Sequence, residues 1–302
     1  MKNQYRYILD PTSRKIICPK CFQKTFVGMI DQITGEFLSN FGRCDREVKC
    51  SYKIYPSNNL FTNYQEIDNQ KIKLKPSFHS MSLVNHSFVF DNNLLKYFES
   101  VFGKLLCDKI QKTYKIGTCK EFKNGTVFWQ VDNQNQIRGG KIICYNENGK
   151  RTKNINWIHS ILIKNNIINE FNLNQCLFGL HLINKYKSNV IALVESEKTA
   201  CIMSIIFPEF LWLACGAKNE FKLQKLKPIK HRKIIAYPDC EIQKNGSTTY
   251  NEWHEKATNF NKEGFNITVS NLLEKLSSAS QKTNGVDLAD FFMQGEKYYR
   301  SL

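Results

Sequence analysis

The chain has 302 residues, 42% of them hydrophobic and 23% charged, the balance of an ordinary folded protein with water around it. Its 43 Lys and Arg against 27 Asp and Glu leave a formal net charge of +16. Such a field attracts polyanions, of which nucleic acid is the commonest inside a cell, with general solubility charge as the plainer alternative. The segment Met1 to Thr12 has no apolar core and is not expected to be a signal peptide. The longest apolar tract, Ala200 to Ala217, is broken by Pro208-Glu209 and reads as helix plus strand, not as a membrane span. A cytoplasmic location without membrane contact is therefore expected, with the eleven cysteines as reduced thiols or metal ligands.

The first module expected spans residues 1–56. Cys18-Pro-Lys-Cys21 and Cys44-(x)5-Cys50 each gather two thiols on one turn, and two such turns complete a tetrahedron around structural Zn2+. Gln23 to Ile30 and Gly35 to Arg43 alternate as the arms of a hairpin, so the expectation is a zinc ribbon with Cys18, Cys21, Cys44 and Cys50 as ligands. Cys107, Cys119, Cys144, Cys176, Cys201, Cys215 and Cys240 lack close partners in sequence and are read as core residues. Lys15, Lys20, Lys24, Arg43, Arg46, Lys49 and Lys53 surround the four ligands, interleaved with Phe22, Phe26, Phe41 and Tyr52. Those rings either stack on unpaired bases or fill the ribbon's own small core.

Residues 57–87 are polar without an apolar period and are read as a linker. Residues 88–185 then form a small mixed α/β subdomain. Phe88 to Phe90 reads as strand, and Asp91 reads as the N-cap of a helix carrying Leu94, Leu95, Phe98, Val101 and Phe102 up to Gly103. A helix over 105–113 leads to a strand over 114–117, and strands follow over 126–131 and 137–145. Gly139 and Gly140 in the last strand mark either a close approach to a ligand or a bulge. Arg138, Lys141, Arg151 and Lys153 are candidate phosphate contacts, and His159 beside Trp157 is read as a packed histidine.

Residues 186–302 carry the clearest pattern. Val190 to Val194 and Lys233 to Tyr237 are short, unbroken apolar runs of the kind found in parallel strands covered on both faces. The first run ends in Glu195 and opens a helix; the second is followed by Pro238-Asp239-Cys240-Glu241. With a strand over 210–215 and a helix over 220–226 between them, the order is that of an open parallel sheet, whose ligands sit outside the carboxyl ends of its strands. Glu195, Asp239 and Glu241 would then share one end, where carboxylates suit a divalent cation. A helix within 245–260, a strand over 265–269 and a helical end follow, with Asp287 placed either at a metal or as a helix N-cap.

These motifs resemble the Toprim domain of bacterial primases, topoisomerases and some nucleases. Val194-Glu195-Ser196-Glu197-Lys198-Thr199-Ala200 stands for its Glu motif and Asp239-Cys240-Glu241 for its acid-x-acid motif. Ser196, Thr199 and Glu241 stand where the family commonly has Gly, Asp and Asp. The order of ribbon, small subdomain, Leu177-Phe-Gly-Leu-His-Leu-Ile183 and Glu motif resembles the bacterial primase core over about residues 15 to 295, of the kind found in mobile elements.

The resemblance implies an α/β protein, α+β overall, with a zinc ribbon, a small subdomain, a Toprim-type sheet flanked by helices and a C-terminal helical extension. It implies that Glu195, Asp239 and Glu241 are catalytic and that Asp239, Glu241 and Asp287 hold catalytic Mg2+ or Mn2+. Lys198 either joins Arg138 and Lys141 at phosphates or pairs with an acid. The expected activity is synthesis of short primers from nucleotide triphosphates on single-stranded DNA. The expected partner is a helicase or other mobile-element replication protein, because no Gly-x-x-x-x-Gly-Lys-Ser/Thr occurs in the sequence. A Toprim nuclease and a non-catalytic DNA-binding protein are the rival readings.

Overall fold

The computed structural model describes residues 6–12, 14–32, 34–46, 49–56, 75–186, 190–241 and 247–294. They fall into two compact units, residues 1–75 and 76–302.

The first unit is a small antiparallel sheet of β1 (Tyr7–Leu9), β2 (Ile16–Ile17), β3 (Lys24–Asp31), β4 (Phe37–Cys44) and β5 (Lys53–Ile54), in the order β1-β3-β4-β5 with β2 also on β3. Its core is Cys18, Phe26, Cys44 and Cys50, with Tyr52 packed on Phe26 at 5.8 Å between ring centroids. Two of the four rings offered by the sequence are thus spent on packing. Phe22 is instead 77% exposed. So small a core needs a cross-link to hold it.

The second unit opens with α1 (Met81–Ser87), α2 (Asn93–Phe102) and α3 (Lys104–Tyr114). An antiparallel meander follows, made of β6 (Ile116–Cys119), β7 (Gly125–Val131), β8 (Ile137–Tyr145) and β9 (Arg151–Trp157), and then α4 (Ile158–Lys164). The segment read as linker overlaps α1; its residues 57–74 lie outside the described residues.

Phe88 to Phe90 is not a strand. Its N–H groups bond backward, Phe88 to Asn85 O at 3.1 Å and Val89 to Ser87 O at 2.7 Å, and the distant Thr118 hydroxyl donates to Val89 O at 2.6 Å. The α2 cap is Asn92, not Asp91: its Oδ1 accepts from Leu95 N–H at 3.0 Å while its Nδ2 donates to Thr118 Oγ1 at 2.8 Å. An amide can cap and donate at once, whereas a carboxylate only accepts; Asp91 pairs with Lys96 at 2.9 Å. The glycines of β8 serve packing rather than ligand approach. A Cβ on Gly140 would stand 2.7 Å from Ile158 and 2.9 Å from the Trp129 ring. The bulge lies beside them, where Gly139 pairs with Gln130 but Ile137 with Val131, leaving Arg138 between.

The rest of the unit is β10 (Ile191–Val194), α5 (Glu197–Ile206), β11 (Leu211–Ala214), α6 (Leu223–Leu226), β12 (Lys233–Tyr237), α7 (Thr249–Lys262) and β13 (Asn266–Val269), then α8 (Leu272–Leu276), α9 (Ala279–Asn284) and α10 (Leu288–Gln294). The four strands are parallel, in the order β11-β10-β12-β13. Every residue of β10 and β11 is buried, which is why their sequences are unbroken apolar runs. The protein is an α/β chain, α+β overall, joining a parallel sheet to two antiparallel ones.

The boundary expected between 185 and 186 does not separate two cores. Phe128, Tyr114 and Phe178 belong to the same apolar cluster as Ile191, Trp212 and Ile234. Tyr114 stacks on Phe178 at 5.3 Å and its hydroxyl donates to Trp212 O at 3.0 Å. Phe178 also bridges to Ala214, its N–H donating to Ala214 O at 2.9 Å, so the chain entering the parallel sheet seals the β11 edge. The antiparallel meander's other face, with Val127, Trp129 and Ile142, packs around Val84 and Ile158.

Candidate functional site

In the parallel sheet the chain runs from β10 to β11 on one side and then to β12 on the other. The crevice at such a reversal opens beyond the carboxyl ends of β10 and β12. Val194 pairs with Tyr237 in register, so Glu195 and Asp239 leave neighbouring strands together. The Asp239 N–H donates to Glu195 Oε1 at 3.2 Å. An antiparallel bridge between Cys240 and Val286, with N···O distances of 2.9 and 3.1 Å, delivers the third acid, Asp287, to the same place.

The result is an open cleft of about 650 Å3 lined by Glu195, Glu197, Asp239, Glu241, Asp287 and Asp290, with Lys141, Lys150, Arg151, Lys198 and Lys218 on its walls. Burial raises the Glu195 carboxyl to about 7; the charges of Glu241 and Asp287 push the same way, and the Asp239 N–H and Lys218 oppose them. Burial raises Asp239 well above the usual carboxylate range, with Glu195, Asp287, Asp290 and Glu241 adding repulsion. Asp290 is raised by burial and by Asp287. Acids crowded this way repel one another and ionise readily only beside added positive charge, a donor set matched to a hard divalent cation.

Their fit is open rather than cage-like. Among the described residues, only the four cysteines form a group of three or more Cys, His or carboxylate ligands with donor atoms all within 4.8 Å of one another. Glu241 is exposed and Glu195 is 8% exposed. Magnesium commonly takes one or two carboxylates and completes its shell with water and phosphate oxygens, which such a cleft leaves room for.

The basic residues divide three ways. Arg138 is outside the cleft lining: its Nε donates to Asp132 Oδ2 at 2.6 Å and its guanidinium lies over Phe78, because the β8 bulge turns it there. Lys141 reaches the wall of the cleft but is committed inside the protein. Its Nζ donates to Glu197 Oε1 at 3.0 Å and to the Gly216 carbonyl, so its charge is matched before any phosphate arrives. Lys198 lies 3.8 Å from Asp290 and donates to Gly149 O at 3.3 Å, the acid-pairing alternative. Arg151 lines the cleft from β9, and Lys153 is exposed further along that strand.

Glu197, Asp290, Lys150 and Lys218 were not singled out from the sequence. Glu197 sits on the first turn of α5, where an acid reads as an ordinary partner of the helix dipole. Only its distant lysine, 56 positions away, reveals it as a buried charge pair. Asp287 caps α10, its Oδ1 accepting from Asp290 N–H at 2.7 Å, and it also lines the cleft.

In the first unit, Cys18 and Cys21 follow β2, Cys44 ends β4 and Cys50 precedes β5. Sγ–Sγ distances are 3.7 Å for Cys18–Cys50 and 3.9 Å for Cys21–Cys44. Zinc–sulfur bonds of about 2.3 Å give a tetrahedron with edges of roughly 3.8 Å, so the four thiols fit zinc. Phe22 and Ser51, each just after the last cysteine of its turn, take left-handed φ of 54° and 55°, which turns the chain back from the ligands.

Residues 5–66 match a zinc beta-ribbon finger family, and residues 92–240 match a domain of unknown function, DUF6371. No curated protein matches the chain. Among solved structures it is similar to the RNA polymerase domain of Mycobacterium tuberculosis primase DnaG, at 9% identity and a TM-score of 0.43 over 72% of this chain and 86% of that one. It is also similar to the primase fragment of the bacteriophage T7 primase-helicase, at 13% identity and a TM-score of 0.39 over 93% and 94% of the two chains. A DNA primase domain from Pseudomonas aeruginosa matches at 11% identity, with a TM-score of 0.40 over 71% and 81%.

Proposed function

We propose that this chain is a primase-like nucleotidyltransferase with a Toprim-type site, which builds short primers from nucleotide triphosphates on single-stranded DNA. The observation that carries the reading is the meeting of Glu195 and Asp239 at the carboxyl ends of two adjacent parallel strands, bonded at 3.2 Å. The Toprim motifs in the sequence and the charge of +16 support the same reading.

Asp239 and Glu241 would hold Mg2+ or Mn2+, with Asp287 beside them. When bound, the cation neutralises triphosphate charge and favours departure of pyrophosphate. Glu195, poised near pH 7, is suited to accept the proton of the attacking 3′-hydroxyl as oxygen bonds to the α-phosphorus and pyrophosphate leaves. Arg151, Lys150 and Lys218 steer the phosphates, and Lys153 extends that positive strip along β9. The zinc ribbon of residues 1–56 would engage the template. A cytoplasmic replication protein of a mobile element, working beside a separate helicase, is the setting this reading favours.

The test is incorporation of labelled nucleotide into an oligonucleotide on a single-stranded template with magnesium, then manganese. Product that disappears in Glu195→Gln and Asp239→Asn supports the proposal. Cleavage of DNA without nucleotides would replace it with the nuclease reading. Salt-sensitive DNA binding that survives Asp239→Ala with no turnover would replace it with the binding-protein reading.

A further inference from the structure

Thr199 is fully buried on the first turn of α5. Its hydroxyl is 2.7 Å from Asp287 Oδ2 and 2.9 Å from Ser196 Oγ. A carboxylate can only accept, so the single Thr199 proton points at Asp287 and the Ser196 hydroxyl donates to Thr199. Ser196 Oγ in turn accepts the Thr199 N–H at 3.1 Å, which anchors the start of the chain to the helix N-terminus. The other oxygen of Asp287 is held by the Asp290 N–H at 2.7 Å. Both Asp287 oxygens are therefore fixed from behind, each keeping a lone pair for the cleft that the residue lines.

An acid at position 199 would sit against Asp287 and repel it, in a cluster already crowded with carboxylates. A threonine removes one charge and supplies a donor instead. We infer that Thr199 is the positioning residue for Asp287: through the Ser196–Thr199–Asp287 relay it presets the carboxylate for a divalent cation, an inference that rests on the cation reading of the cleft.

Two isosteric pairs isolate the hydroxyl: wild type against Thr199→Val, and Thr199→Ser against Thr199→Ala. The readout is Mn2+ binding to the full chain by calorimetry, with zinc already in place and no nucleotide present. Outer-shell partners of this kind change metal affinity by about 10- to 100-fold. Thr199→Val and Thr199→Ala are expected to weaken the cleft's Mn2+ affinity by at least about tenfold, while Thr199→Ser stays within about twofold of wild type. If one pair fails to fold, the other decides. Equal affinity within either folded pair overturns the inference while leaving the cation reading intact. Wild-type protein with no Mn2+ binding that Asp239→Asn removes overturns the cation reading, and this inference with it.

Discussion

Lys141 Nζ lies 3.0 Å from Glu197 Oε1, a charge pair whose side chains are 11% and 1% exposed. The pair ties the middle of β8 to the first turn of α5, and Lys141 also holds the Gly216 carbonyl where β11 leaves the sheet. It therefore braces the cleft wall between the two halves of the second unit. Removing one member strands the other in a dry place, at a cost of about 3–5 kcal/mol. Lys141→Met should lower unfolding stability by about that much in a denaturant titration, and Lys141→Met with Glu197→Leu should recover most of it. A single variant as stable as wild type would show that Lys141 serves ligands and not the frame.

The acids give a pH signature. Glu195 and Asp239 have folded values above their unfolded ones, so they favour the folded state at low pH and lose that contribution as pH rises through the folded value, about 7 for Glu195. His79 and His181, lowered to about 4 mainly by burial, act oppositely below their ordinary 6.5. Above pH 6.5 those histidines no longer contribute. From there to about pH 8, wild type with zinc held in the ribbon, which takes the low Cys21 thiol out of the titration, and with no cation in the cleft should lose thermal stability, and Glu195→Gln should lose less. A wild-type curve flat across that window contradicts the crowding of the acids.

The ribbon's small core predicts dependence on its metal. The full chain should carry one zinc per molecule by elemental analysis, and Cys18→Ser with Cys50→Ser should carry none. Chelation should open the β1–β5 sheet, seen as loss of amide protection there, while β10–β13 stay protected. Equal protection of β1–β5 with and without zinc would contradict this.

Within the cleft, Arg151 and Lys218 have no ion pair among those described, unlike Lys141 and Lys198; Arg138, outside it, pairs with Asp132. Arg151→Ala and Lys218→Ala should each weaken binding of a nucleotide triphosphate or a short single strand and shallow its salt dependence by about one ion. Arg138→Ala, measured the same way, should leave both unchanged.

What could be read from sequence alone follows the physics of each element. The buried strands β10 and β12 announce themselves because double-sided burial demands unbroken apolar runs, and their order with α5 and α6 fixes the end at which Glu195 and Asp239 meet. The cysteine pairs are legible because tetrahedral coordination needs two tight turns. Side-chain commitments are not local and could not be read. Lys141 looks like a free phosphate ligand until Glu197 is brought beside it, and Arg138 until a bulge turns it to Asp132. Asn92 displaced Asp91 as a cap because only an amide could also donate to Thr118. The division into two domains at 185/186 failed for a similar reason: Phe178 packs with Tyr114 and Phe128 and bridges to β11, joining both sheets into one core.

The central claim is that the acids beyond β10 and β12 share a divalent cation. Crystals of the full chain soaked in Mn2+ and measured at the manganese absorption edge test this directly. The account predicts an anomalous peak in the cleft within about 2.0–2.3 Å of an Asp239 oxygen, with Glu241 or Asp287 in the same shell, and no such peak in Asp239→Asn. A cleft that stays empty at saturating Mn2+, or a peak unchanged in Asp239→Asn, would contradict it.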